Sequence, residues 1–186
     1  MNAKNITQNT IGVKKNHVIQ SAVVEKLDEE YYQGDELEDF IDEQIKDYNT
    51  KKLKNSTSND KEKAAHAITK QSFYANAEKA SVVINYKTIE DYVDFNQAEA
   101  KILTCQEALK DSIVQALPSM ISFADTKEVT TESAFGHDAA YVLIVKEPVK
   151  IKVEGSILYY ANASKEDKNS VQTVGDKEAV IVYTLK

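Results

Sequence analysis

The chain has 186 residues, of which 42% are hydrophobic, so it is long and apolar enough to form one moderately large domain or two small ones. Its net charge is −7 and none of its 23 basic residues is arginine, which argues against a nucleic-acid-binding protein, because affinity for phosphate comes from clustered Lys and Arg. Cys105 is the only cysteine, so the sequence excludes an intrachain disulfide and a thiolate metal cluster.

The chain begins with a polar segment and a predicted β-hairpin. Residues 1–9 are polar and are expected to form a flexible tether. Segment 10–13 is largely β-branched, segment 18–27 mixes alternation with β-branched residues, and the two flank a polar turn. This pattern predicts the two strands of a hairpin.

An amphipathic helix is predicted from Asp35 to Tyr48, with a capping-box pattern at Asp35 and Glu38. Its apolar residues recur at spacings of three and four: Leu37, Phe40, Ile41, Ile45 and Tyr48. The segment 49–63 is rich in Lys, Asn, Ser and Thr, and it predicts a mobile loop.

A second hairpin is predicted at 68–74 and 80–86, followed by a short helix that ends at Asn96. Thr88 and Asp91 provide the start signal of that helix. The order of strand, strand and helix therefore occurs twice within residues 10–98.

The second half is expected to contain one helix and then strands. Thr104 and Glu107 form a capping box that opens a helix through Ala116. A period of two then predicts strands at 140–145, 149–153, 157–160, 171–174 and 179–183, with a turn or bulge at Gly155 and a polar loop at 162–168.

The predicted fold is α+β, with mainly antiparallel sheets built from hairpins and two or three amphipathic helices packed on one face. Residues 1–186 are expected to form a single domain, whose possible subdivision is 10–98 and 99–186.

The helix at 35–48 carries an acidic face opposite its apolar one. The carboxylates of this face are Glu36, Asp39, Asp42, Glu43 and Asp47. A solvated surface is the favoured interpretation, and a low-affinity cation site or a contact for a basic partner is the alternative. Their helical spacing differs from that of an EF-hand loop, so no metal is predicted.

No catalytic motif stands out, so no catalytic residue is assigned. Cys105 is expected to be buried or on a helix surface, because His17, His66 and His137 form no nucleophile signature with it. No G-x-G-x-x-G or Walker sequence is present, so no cofactor is predicted.

Four residues that could suggest a hydrolase lie close together in the sequence: Ser133, Gly136, His137 and Asp138. Their order does not match a nucleophile elbow, and a loop is the favoured interpretation. Six tyrosines could instead form a ligand-contacting patch, although a place at the edge of the core is favoured. These tyrosines are Tyr31, Tyr32, Tyr86, Tyr92, Tyr159 and Tyr160.

Several segments together resemble a group of uncharacterised Gram-positive, clostridial-type surface lipoproteins. The segments that carry the resemblance are Asp28 to Tyr32 leading into Asp35 to Leu37, Phe40-Ile41, Tyr48-Asn49, Tyr86 to Thr88, Glu90 to Tyr92, Phe95-Asn96, Val149 to Ile151, Gly155, Ile157 to Tyr159, and Ala179 to Tyr183.

The resemblance implies an extracellular ectodomain tethered to the cell membrane by an N-terminal lipidated cysteine. The sequence contains no lipobox, so contact with the membrane is expected only through an anchor outside it. The leading hypothesis is a non-enzymatic binding or structural module with an unknown envelope or extracellular ligand. An enzyme-associated or hydrolytic domain with an unrecognised site is the alternative.

Overall fold

The structure is a computed structural model that describes residues 1–27, 34–56, 61–137 and 139–185, without the side chain of residue 63. Tyr31, Tyr32 and Asp138 therefore lie outside the described residues. The predicted α+β class is confirmed, because the strands form two mostly antiparallel sheets accompanied by helices.

The first half of the chain contains a short 3-10 turn at Ala3–Asn5 and then seven elements. These are β1 (Thr10–Val13), β2 (Ile19–Lys26), α1 (Gly34–Lys54), α2 (Lys61–Ala65), β3 (Ile68–Ala75), β4 (Lys79–Tyr86) and α3 (Ile89–Asn96). Both predicted hairpins and the helix after the second hairpin are confirmed.

The second half is richer in strands. Its elements are β5 (Ala100–Thr104), α4 (Cys105–Ala108), α5 (Ser112–Gln115), β6 (Met120–Ser122), β7 (Glu128–Val129), α6 (Thr131–Phe135), β8 (Tyr141–Val145), β9 (Lys150–Val153), β10 (Gly155–Ala161), β11 (Ala163–Asp167), β12 (Ser170–Thr173) and β13 (Ala179–Leu185).

The strand order is β11-β12-β9-β1-β2-β4-β3 in one sheet and β5-β8-β13-β10-β6-β7 in the other. The chain divides into two compact units, the first made of Met1–Ile11 and His17–Phe95, the second of Gly12–Asn16 and Asn96–Lys186. The predicted boundary at 98/99 lies close to this division.

In the first unit, the N-terminal segment packs on the sheet and is not the flexible tether that its composition predicts. Ala3 and Ile6 are buried against Ala22 and Val83. The Ala3 N–H donates to the Ser72 hydroxyl at 3.0 Å, and the Ala3 carbonyl accepts from the Ser81 hydroxyl at 2.8 Å. These long-range contacts outweigh the local polar pattern.

Helix α1 extends to Lys54, so the predicted mobile loop is wrong for residues 49–54, and α2 also occupies part of it. Lysines 51, 52 and 54 lie in the last turn of α1, where cations stabilise the negative end of a helix. Asp35 lies inside the helix rather than capping it. Phe40, predicted to face the core, is 57% exposed.

In the second unit, β8 and β13 are interior strands of the six-stranded sheet, as their continuous apolar sequences predict. One face of these strands packs against helices α4 to α6. The core on that face includes Val142, Ile144, Val180, Val182, Cys105, Val114 and Phe135.

The helix predicted from Thr104 to Ala116 is wrong as one element. The Thr104–Glu107 capping box is confirmed, but α4 ends after one turn. The Asp111 side chain accepts from the Ile113 N–H at 3.0 Å and starts α5 separately. Leu109, predicted to face inward, is 42% exposed as a result.

The polar loop predicted at 162–168 is also wrong, because β11 pairs antiparallel with β12 there. Its exposed residues are those of an edge strand, which needs no apolar face. Gly155 begins β10 opposite Leu185, and the register of β10 shifts between Ile157 and Tyr159.

Candidate functional site

A cavity of about 210 Å³ opens on the surface of the second unit. It lies where β5, the end of β8, helix α5 and the residue before β13 meet. Its lining residues are Glu99, Ala100, Lys101, Ile113, Ile144 and Glu178.

The floor of the cavity is apolar. Ile144 is 2% exposed and lies opposite Lys101 on one side and Val180 on the other. Side chains directly opposite in a sheet share a face, so this floor continues into the core of the unit. Ile113 is partly buried and packs against the same core.

The rim carries two carboxylates that share one ammonium group. Lys146 Nζ lies 3.7 Å from Glu99 Oε2 and 3.5 Å from Glu178 Oε1. Both distances exceed those of a direct hydrogen bond. The Glu99 side chain is 73% exposed, whereas that of Glu178 is 35% exposed. Either carboxylate can therefore accept a further cation.

Electrostatics favour the ionised form of two carboxyl groups in this region, Glu178 and Asp111. A hydrogen bond from its own backbone holds the pKa of Glu178 below its usual range, and the charge of Lys146 adds to this effect. Burial opposes ionisation of Asp111, but its bonds to Lys101 and to the Ile113 N–H outweigh burial and lower its pKa. Lys101 is thus engaged with Asp111 beside the cavity.

The acidic face of α1 meets a lysine that the sequence did not suggest as a partner. Lys70 of β3 extends its Nζ to Glu38 Oε1 at 2.5 Å and to Asp42 Oδ2 at 2.7 Å. The other carboxylates of the predicted face are exposed. Within the described ranges, no group of three or more His, Cys, Asp or Glu side chains is placed to hold a metal ion.

Cys105 is buried at the start of α4, as predicted, with 3% exposure. Its Sγ donates to the Ala140 carbonyl oxygen at 3.6 Å and lies within the core of the second unit. Access to solvent is what a reactive thiol needs, so this position favours a structural role.

His137 contacts Tyr159, which lies 22 residues further along the chain. The two rings stack with centroids 5.7 Å apart, and His137 Nε2 is 3.3 Å from the Tyr159 hydroxyl. Ser133 and Gly136 belong to α6 and its end, rather than to the predicted loop. The pairing with Asp138 falls outside the described residues.

Three of the candidate tyrosines belong to the core, as the favoured interpretation predicts. Tyr86, Tyr92 and Tyr160 are all at most 6% exposed. The rings of Tyr86 and Tyr92 pack edge to face with centroids 5.3 Å apart. These residues do not form a surface patch for a ligand.

A buried charged cluster in the first unit joins α1 to α3. Asp91 Oδ1 is 3.0 Å from Lys52 Nζ and accepts from the Tyr48 hydroxyl at 3.2 Å. Its other oxygen accepts from Thr88, the residue that caps α3. Burial, followed by the charge of Asp91, raises the pKa of Tyr48 to about 12. Each of these polar groups has a partner within the cluster, so the cluster serves to hold α1 against α3.

The sequence suggested the Thr88–Asp91 cap but not its partners, because Tyr48 and Lys52 belong to a distant helix. It also did not suggest the cavity, whose residues span positions 99 to 178. Only the β5 part of the cavity had a local signal in the sequence. Glu99 precedes β5, and Lys101 lies within it next to the apolar residues Ile102 and Leu103.

No helix in the described part of the chain is both long and apolar enough to cross a membrane. Comparisons with protein-family models, curated proteins and solved structures found no match.

Proposed function

We propose that this protein is a non-enzymatic binding module of the cell envelope, tethered outside the membrane by an N-terminal lipid. We further propose that the cavity of the second unit receives a group of the ligand that combines an apolar body with a positive charge. The location is supported by the resemblance to surface lipoproteins. Binding is supported chiefly by one observation: Glu99 and Glu178 share the Lys146 ammonium above the apolar floor at Ile144.

The size of the cavity limits what can enter it. Sites for whole small molecules commonly occupy roughly 300 to 1,000 Å³. An engineered apolar cavity of about 150 Å³ holds benzene. At about 210 Å³, this cavity matches the volume of one side-chain-sized group.

The charge of the rim decides which side-chain-sized group is favoured. Glu99 and Glu178 bring two negative charges and Lys146 one positive charge, while Lys101 is engaged by Asp111. An entering anion would compete with two carboxylates, whereas an ammonium would complete a second ion pair. An alkylammonium matches both the rim and the floor, because its stem can cover Ile144.

The cavity proposal is tested by titrating the isotopically labelled protein with n-butylammonium, n-butanol and n-butyrate, and recording amide chemical shifts. We expect localised shifts at Ile113, Ile144 and Glu178, largest for the ammonium and smallest for the carboxylate. The double variant Glu99→Gln, Glu178→Gln should lose the preference for the ammonium.

Glu132→Gln is the matched control, because Glu132 is an exposed carboxylate on α6 and does not line the cavity. It removes charge from the same unit and should leave the titration unchanged. Equal responses to the three probes, or shifts that the double variant leaves intact, would overturn the proposed site.

The location is tested separately in the source cells, with the full-length gene product. Labelling with an alkyne fatty acid should tag the protein, and protease added to intact cells should digest it. An untagged protein that resists protease until lysis would overturn the envelope assignment without affecting the cavity.

A further inference from the structure

We propose that the ligand of the cavity is an extended peptide that adds to β5 as an extra strand and places a lysine side chain in the cavity. This inference rests on the proposed binding function and specifies the partner.

Strand β5 forms one end of the six-stranded sheet and pairs with β8. The Lys146 N–H donates to the Glu99 carbonyl at 3.0 Å, so the backbone of Glu99 faces β8. Since orientation alternates along an antiparallel strand, the N–H and C=O groups of Ala100 and Ile102 point away from β8. Thr104 fits this alternation, because its N–H donates outward to Glu107 Oε2 at 2.8 Å.

The outward N–H and C=O groups of Ala100 and Ile102 neither donate a hydrogen bond to nor accept one from other described residues. Edge strands of this kind bind extended peptides through backbone hydrogen bonds, and nearby pockets select the side chains. The four N–H and C=O groups on this edge therefore offer a template for a short added strand.

The other sheet ends carry features that block such pairing. At the edge of β3, the Asn49 side-chain amide donates to the Ile68 carbonyl at 2.8 Å and accepts from its N–H at 3.0 Å. Strand β11 is charged, exposed and irregular between Lys165 and Asp167. Strand β7 has two residues. Charges, irregularities, short length and covering groups all protect edges.

Among the described residues, strand β5 is covered in this way only at Thr104, by Glu107, so its edge stays open at Ala100 and Ile102. It keeps a regular register with β8 over five residue pairs. Lys101 does not protect this edge from pairing, because its side chain is bound to Asp111 on the cavity side. The unprotected edge and the cavity thus belong to the same strand, which contributes Ala100 and Lys101 to the lining.

The geometry brings one peptide side chain to the cavity. A strand paired with Ala100 and Ile102 would lie about 4.8 Å from β5, and its residue opposite Lys101 would project on the Ile144 face. A lysine there can lay its stem along Ile113 and Ile144. Its ammonium can then reach the Glu99 carboxylate at the rim.

The charge of the chain favours a basic peptide over a second copy of this protein. Two copies each carry a net charge of −7 and repel each other. The peptide lysine would lie opposite Lys101, whose charge is already paired with Asp111.

The test uses the full chain and a library of capped pentapeptides with lysine fixed at the centre and Val, Thr, Ala or Ser at the other positions. The tightest member is compared with its norleucine analogue and with two N-methylated forms. Binding is followed by calorimetry and by amide hydrogen exchange.

We expect slower exchange at the Ala100 and Ile102 amides and affinity lower by roughly tenfold or more for norleucine, which lacks the charge. Methylating the peptide nitrogens that face β5 should abolish binding, whereas methylating the alternate nitrogens should not. Glu132→Gln again serves as the control variant.

The outcomes separate the two proposals. Binding of n-butylammonium without protection of Ala100 and Ile102 by any peptide would leave the cavity proposal intact and overturn the added strand. Binding of neither probe would overturn both. A dimer in analytical ultracentrifugation that Ile102→Pro converts to monomer would assign the edge to a second copy and overturn the peptide proposal.

Discussion

Lys52 Nζ lies 3.0 Å from Asp91 Oδ1, and this ion pair joins α1 to α3 where the Asp91 side chain is 7% exposed. The Lys52 ammonium also lies 5.6 Å from the centre of the Tyr48 ring. Tyr48 packs edge to face on Phe95 of α3, with centroids 5.7 Å apart. The short helix α3 is thus fixed to α1 by a buried carboxylate as well as by apolar contacts.

Lys52→Met should destabilise the protein by about 1 to 3 kcal/mol, because it leaves the buried Asp91 carboxylate without its cation. The bonds from Tyr48 and Thr88 remain and keep the loss below that of a fully isolated charge. Urea denaturation followed by circular dichroism measures the effect. Lys51→Met, at an exposed position in the same turn, is the control. Equal losses in the two variants would show that the ion pair contributes nothing.

The ionisation of Tyr48 should weaken the protein at high pH. Its pKa is raised from the model-compound value of 10.0 to about 12 in the folded state, chiefly by burial and then by Asp91. A group whose pKa is higher when folded stabilises the protein below its unfolded pKa, and that contribution disappears as pH rises through the folded value. The relevant window is therefore pH 10 to 12.

The measurement compares the wild type with Tyr48→Phe in urea denaturation at a series of pH values. Lysine titration acts on both proteins, so the difference between them isolates Tyr48. We expect the wild type to lose more stability across the window than the variant. Parallel curves would contradict the assignment.

Gly155→Ala should destabilise the protein by about 3 kcal/mol or more, because an added Cβ would lie 1.9 Å from the Thr184 carbonyl oxygen. Backbone on β13 cannot yield as a flexible side chain would. Gly136→Ala is the matched control, since its Cβ would meet its nearest atom at 3.6 Å. Thermal denaturation should show a large loss for the first variant and a small change for the second. A tolerated Gly155→Ala would contradict the close approach.

Gly155 shows what a local sequence pattern can and cannot predict. Its position among strand residues predicted a turn or bulge, but the glycine is needed because another strand passes close to its backbone. The partner segment near Thr184 lies at the far end of the chain, so no local pattern reveals the constraint. Local signals did predict the two hairpins, whose strands pair across short turns, and the apolar segments of β8 and β13 that are buried on both faces.

The errors share a physical cause. The polar composition of residues 49–54 indicated a loop, but these residues form the lysine-rich last turns of α1. The polar composition of residues 1–9 indicated a tether, but Ala3 packs on a sheet. The Thr104–Glu107 capping box correctly predicted the start of α4. Asp111 then caps a separate helix, α5, so the two do not form one continuous helix. The candidate cavity depends on residues from Glu99 to Glu178, and only tertiary structure brings their charges together.

Asn49→Ala should destabilise the first unit by about 1 to 3 kcal/mol, because it removes two hydrogen bonds and leaves the backbone of Ile68 partly unsatisfied. It should also make the protein prone to self-association, because the Asn49 amide covers the edge of β3. Urea denaturation measures the first effect, and light scattering coupled to size-exclusion chromatography measures the second. Asn55→Ala, at an exposed position just beyond α1, is the control. A variant that is destabilised but stays monomeric would show that Asn49 holds α1 to β3 without guarding the edge.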